Sequence, residues 1–144
     1  MWQPSSHLFS IFLPSATFIT TGESSEPWPT KEVLSSPEKQ KKVKEWGRKT
    51  VDAILAEPSL ENFLRASKEF AVKTGLATER VKRLTASAES AGAIGAAQNM
   101  VGEAVHALTT PENLESVVQV FKRELPNDRV LSGKVDLQGV RLLR

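Results

Sequence analysis

The chain reads as an α+β sandwich, a small mostly antiparallel sheet with helices on one face, and three observations predict it. An apolar, threonine-containing run near the N-terminus favours a strand. Helical periodicity then holds from Pro37 to about Ala88. The last third returns to strand-like alternation around one further helix. Strands separated in this order (strand, three helices, strand, helix, strand) meet only if the helices fold back over them. With 144 residues and 40% hydrophobic content, the chain suffices for one domain with its own core.

Taken in order, residues 8–20 are rich in Phe, Ile, Leu and Thr, and Pro14 restricts such a strand to an edge or a bulge. The three prolines of "GESSEPWPTKEVLSSPEK" force a long loop, ended by Ser36-Pro37-Glu38: a cap, a first-turn proline and an acid at the positive helix end. Val43, Trp46, Thr50, Val51, Ile54 and Leu55 then recur at helical spacing, which makes Trp46 a core residue. Lys39, Lys41, Lys42, Lys44, Arg48 and Lys49, interleaved with Glu38, Glu45 and Asp52, form a solvated face. Pro58-Ser59 breaks and recaps the chain. The second helix places Leu60, Phe63, Leu64, Phe70 and Ala71 on one stripe and closes at Gly75. A third, from Thr78, carries Val81, Leu84 and Ala88 and ends before Gly92. "EAVHAL" is short enough for a strand. Thr110-Pro111-Glu112 caps a fourth helix with Leu114, Val117, Val118, Phe121 and Leu125, and Pro126-Asn127-Asp128 turns the chain into one or two final strands in "RVLSGKVDLQGVRLL".

Composition removes several classes of function. Nineteen Lys and Arg against 17 Asp and Glu leave a net charge of +2, too slim a surplus for a nucleic-acid binder. The absence of cysteine excludes disulfides and thiolate chemistry, and His7 and His106 lie too far apart for a histidine metal motif, so no metal ligand is assigned. The N-terminus has neither a basic start nor a small-residue cleavage pattern, and no stretch reaches the ~18 apolar residues of a membrane span. The expectation is a soluble, cytoplasmic chain that engages neither nucleic acid nor membrane.

Two segments could carry chemistry. In "AESAGAIGAAQNMVGEAVHAL", Gly92, Gly95 and Gly102 sit among alanines with no charge between Glu89 and Glu103. Such a stretch is either a close approach of two backbones or a loop around a ligand, and it matches neither the Walker nor the dinucleotide pattern. In "PWPTKEVL", Thr30 and Lys31 follow a rigid proline pair, and Lys31 is either a cation held toward an anionic ligand or an ordinary surface lysine. No paired carboxylates and no nucleophile with its base stand out, so no catalytic residue is assigned.

These segments carry a resemblance. Thr30, Lys31 and Leu34, the run through "ENFLRASKEFAVKTGL", Gln98, Met100 and Gly102, and the closing "SGKVDLQGVRLL" resemble the C-terminal half of the archaeal pantoate kinase family, within the GHMP small-molecule kinases. The likeness covers Pro29 to the end and divides the chain into residues 1–28, a poorly matching segment with a strand, and 29–144, a GHMP-kinase-like C-terminal domain. It implies a ferredoxin-like sandwich. It also implies that the glycine stretch is a loop on the ligand side of the cleft, with Thr30, Lys31, Gly92, Gly95, Gln98, Asn99, Met100 and Gly102 as substrate-binding residues. The implied reaction of the complete enzyme is ATP-dependent phosphorylation of pantoate, with ATP and Mg as cofactors, on the route to coenzyme A. Nothing in residues 1–36 resembles the glycine-serine ATP loop of that family, so the chain alone is expected to bind no cofactor and to be inactive. Its implied partners are an N-terminal kinase lobe or a second copy of itself. The competing expectation is a non-catalytic domain that dimerises or complements a partner.

Overall fold

The structure is a computed structural model and describes residues 17–21, 35–99, 101–125 and 129–134. Its elements are β1 (Thr17–Thr21), α1 (Pro37–Ala56), α2 (Leu60–Thr74), α3 (Glu79–Ser90), β2 (Ala93–Gln98), β3 (Val105–Thr109), a 3₁₀ turn (Pro111–Asn113), α4 (Leu114–Glu124) and β4 (Val130–Lys134). The strand expected over 8–20 is described from Thr17 on. Residues 8–16, the turn at 126–128 and the tail beyond Lys134 lie outside the described residues.

The helix boundaries follow from side chains that replace missing backbone partners. Ser36, Ser59 and Thr78 accept from the backbone N–H of Lys39, Asn62 and Val81 at 3.4, 3.2 and 3.2 Å. Gly75 ends α2 in the left-handed conformation at φ 76°, where a Cβ would be strained. Thr110 departs from the expected pattern. It makes no side-chain cap bond, because Pro111–Asn113 first form a 3₁₀ turn from which α4 continues.

The sheet runs β2-β3-β1-β4 with every pairing antiparallel. With one helix group between β1 and β2 and another between β3 and β4, this is the ferredoxin-like arrangement. The segment read as a loop, 93–98, is instead strand β2, paired with β3 from Ala93↔Thr109 to Gln98↔Val105 with an irregularity between Ala93 and Gly95. Alanine and glycine are poor strand formers, but a strand covered on both faces is selected by the room available, not by propensity.

Cross-strand partners share a face. Ala96, Ala107 and Val105 pack with Val81, Leu84 and Ala88 of α3 and Val117, Val118 and Phe121 of α4, forming the larger core. The alternate positions Ala97 and Leu108 meet Leu60 and Leu64 of α2 at the β2 end of the opposite face. Lys68 ties α2 to α3, its ammonium 2.7 Å from both carboxylate oxygens of Glu89. α1 forms an outer layer on α2 and has no buried residue. Trp46, expected in the core, is half-buried on that layer, with the ammonium groups of Lys49 and Lys73 over its ring at 4.6 and 5.5 Å. The lysines of α1 are exposed, as expected of a solvated face. Among the described residues, no helix is long and apolar enough to cross a membrane.

Candidate functional site

The glycine-containing stretch divides at β2 into two places. Gly92 and Gly95 stand at the start of the strand, and Gln98, Asn99 and Gly102 at its far end and in the turn to β3. At ~3.3 Å per strand residue Gln98 is about 20 Å from Gly92 and about 10 Å from Gly95. The structure therefore does not gather these residues into one loop.

At the first place the glycines are explained by packing. Gly92 has φ 100°, and a Cβ there would lie 2.8 Å from the side chain of Asn113, whose Nδ2 donates to the Gly92 carbonyl at 3.1 Å. A Cβ on Gly95 would lie 2.8 Å from Cβ and 2.9 Å from Cδ1 of Leu64. Both are close approaches between a helix and the strand start, the first of the two readings the sequence allowed.

The β2–β3 turn has a different character. Asn99 N–H donates to the Ala104 carbonyl at 2.8 Å, closing the turn. Gly102 adopts φ 138°, and a Cβ there would meet nothing within 4 Å. Gln98 is 9% exposed, and its Nε2 donates to the carbonyls of Leu76 and Gly102. With both protons used, its Oε1 is buried without a partner among the described residues. An unmet buried acceptor costs about 1–3 kcal/mol, so this oxygen favours any O–H or N–H donor that reaches it.

The turn is anchored to the start of α3. Glu103 accepts from Thr78 Oγ1 at 3.0 Å and from Arg80 Nη1 at 3.3 Å, which places a carboxylate at the positive end of that helix. His106 Nδ1 donates to Asn99 Oδ1, and burial lowers its pKa from the ordinary value of 6.5. Glu103, Thr78, Arg80 and the Leu76 carbonyl were not singled out from sequence as a group. The available signal was the first acid after the neutral stretch, Glu103, together with a cap at Thr78, but their pairing across the fold leaves no local pattern. Thr30, Lys31 and Met100 lie outside the described residues. Among the described residues, there is no group of three or more His, Asp or Glu that could hold a metal ion.

The four-stranded ferredoxin-like sheet and its helices match, as a fold, part of solved structures of GHMP-type kinases. In sequence, the chain is similar to the C-terminal part of pantoate kinase from Methanocaldococcus jannaschii, at 33% identity over 96 residues. That match covers 67% of this chain and 35% of the relative, so the matched part spans about a third of the curated protein's length. No protein-family model matches the chain. Among solved structures, a "phosphotransferase related to CoA biosynthesis pathway" superposes with a TM-score of 0.67 at 21% identity, covering 86% of this chain and 42% of that one. The Methanococcus jannaschii mevalonate kinase gives 0.64 at 16% identity, with 92% and 43% covered. At these identities the two structures establish the fold alone.

Proposed function

We propose that this chain is the C-terminal domain of an ATP-dependent kinase that phosphorylates pantoate. The observation that carries the reading is the 33% identity with the C-terminal part of an archaeal pantoate kinase. The ferredoxin-like sheet supports it.

In this reading the ligand side of the domain is the β2–β3 turn, with Gln98, Asn99, Met100 and Gly102 as its residues. The space beside Gly102 lets a ligand approach the main chain. Thr30 and Lys31, at the start of the domain, are proposed to meet the substrate carboxylate. Gly92 and Gly95 act at one remove, by setting the strand that leads to the turn. Phosphoryl transfer needs an anion cradle and a metal ion, which the remainder of a complete kinase and its bound ATP and Mg supply.

The test is reconstitution. The 144-residue chain, mixed with a separately produced N-terminal part of the Methanocaldococcus jannaschii pantoate kinase, should give ATP-dependent phosphorylation of pantoate above either component alone. A silent mixture, under conditions where the relative's own C-terminal part restores activity, would overturn the proposal.

A further inference from the structure

We propose that Arg80 is a further ligand-binding residue at the β2–β3 turn. Held through one nitrogen by Glu103, its guanidinium binds an oxyanion of the substrates, either the carboxylate of the acceptor acid or a phosphate of the nucleotide. The inference rests on the reading of the chain as part of a pantoate-phosphorylating kinase, and it names one group through which that site would recognise an anion.

Arg80 is the second residue of α3, directly after the Thr78 cap and Glu79. A cation in the first turn opposes the helix dipole, so the stability of α3 does not account for it. The acid beside it, Glu79, is engaged by Lys82 at 2.6 Å. Arg80 reaches instead to Glu103, 23 residues along the chain and next to Gly102.

That contact leaves most of the guanidinium unused. Nη1 stands 3.3 Å from Glu103 Oε2, longer than the ~2.7–2.9 Å of a close charge-assisted bond, and the pair lacks the two parallel bonds that arginine and a carboxylate can form. The other oxygen of Glu103 accepts from Thr78 Oγ1 at 3.0 Å. A guanidinium has five N–H donors, of which the contact with Glu103 takes one. Among the described residues, no second acceptor engages the others.

The cation is also fixed and partly withdrawn from water. The side chains of Arg80 and Glu103 are 32% and 18% exposed, so solvent screens a charge here less than on an open surface. Glu103 holds Arg80 and Thr78 holds Glu103, while Gln98 Nε2 bonds the carbonyls of Leu76 and Gly102 and so ties the same two segments together. A side chain already ordered loses less conformational entropy when a ligand arrives. One residue away, a Cβ on Gly102 would meet nothing within 4 Å. The turn therefore offers a preset guanidinium beside a place where a ligand can reach the main chain. Lysine would supply the charge but not a second bonding edge.

The test uses the 144-residue chain mixed with the N-terminal part of the Methanocaldococcus jannaschii kinase, with pantoate and Mg-ATP varied separately. Each variant is first checked for helix content and urea midpoint. Arg80→Gln should raise the KM of one substrate by roughly tenfold or more and leave the other nearly unchanged. A rise for pantoate assigns the carboxylate, and a rise for ATP assigns the phosphate. Arg80→Lys should raise the same KM by a smaller factor. Glu103→Gln, which keeps an acceptor for Thr78 and leaves the guanidinium in place, should change it less than either. If the pair only anchored the turn, breaking it from either end would act alike. Equal effects of Arg80→Gln and Glu103→Gln, equal rises for both substrates, or unchanged KM values in both Arg80 variants would each overturn the proposal while the kinase reading stands. A parent mixture that stays silent, where the relative's own C-terminal part restores activity, overturns the kinase reading and this proposal with it.

Discussion

At the scale of single residues, the tightest constraint is Gly95. A Cβ there falls 2.8 Å from Leu64, which is 1% exposed and has nowhere to move. Gly95→Val should therefore destabilise the fold by about 1–3 kcal/mol or more, read as a lower midpoint in urea with an unchanged slope. Stability equal to the parent would show that α2 yields freely. His106 supplies a pH dependence. Burial lowers its folded pKa below 6.5, so between these two values the unfolded chain binds more protons than the folded one. The stability that neutral His106 contributes is then present above pH 6.5 and is lost as pH falls from there toward the folded pKa. His106→Gln should flatten that part of the stability profile in denaturant titrations at stepped pH, and an unchanged slope would remove His106 as its cause. Neither residue announces its role in the sequence. Gly95 is dictated by Leu64 on a distant helix, and His106 by a strand pairing, so both are legible only once the chain has folded.

At the scale of elements, the helices were legible and one strand was not. Ser36, Ser59, Thr78 and Gly75 mark their helix ends by local chemistry, which a sequence displays directly. The strand "AIGAAQ" has neither alternation nor β-branched weight, since it must fit between α2 on one face and α3 and α4 on the other. The same cause divided the expected site. A loop would have held Gly92 and Gln98 together, whereas a strand sends them to opposite ends. What remains at the turn depends on α3. Thr78 both caps that helix and donates to Glu103, so Thr78→Ala should cost about 1–2 kcal/mol, more than Ser36→Ala at an exposed cap with a 3.4 Å bond. Thr78→Ala and Glu103→Ala should also be non-additive, with a coupling of about 0.5 kcal/mol or more in a double-mutant cycle. Strict additivity would mean that the turn is held without this contact.

At the scale of the whole molecule, the sandwich is layered unevenly, and this ordering predicts how it opens. The β3, α3 and α4 layer holds the residues of lowest exposure, with Leu84, Val105, Ala107, Val117 and Phe121 all at 0%. α2 adds a smaller cluster around Leu64 and Ala97, and α1 adds no buried residue. Apolar area removed from water is the main favourable contribution to folding, so the free energy of local opening should rise inward from α1 through α2 to the central layer. The polar ties follow the same gradient. Lys68 and Glu89 join α2 to α3 at about one-third exposure, while the Glu45–Lys49 pair on α1 is more than half exposed and contributes little. Hydrogen exchange followed by mass spectrometry should accordingly show α1 amides exchanging through local opening, well before those of β3 and α4, which should exchange only with global unfolding. Equal protection of α1 and β3 in the dilute chain would show that the outer helix is bound into the core more firmly than its exposure implies, and the layered account of this fold would have to be given up.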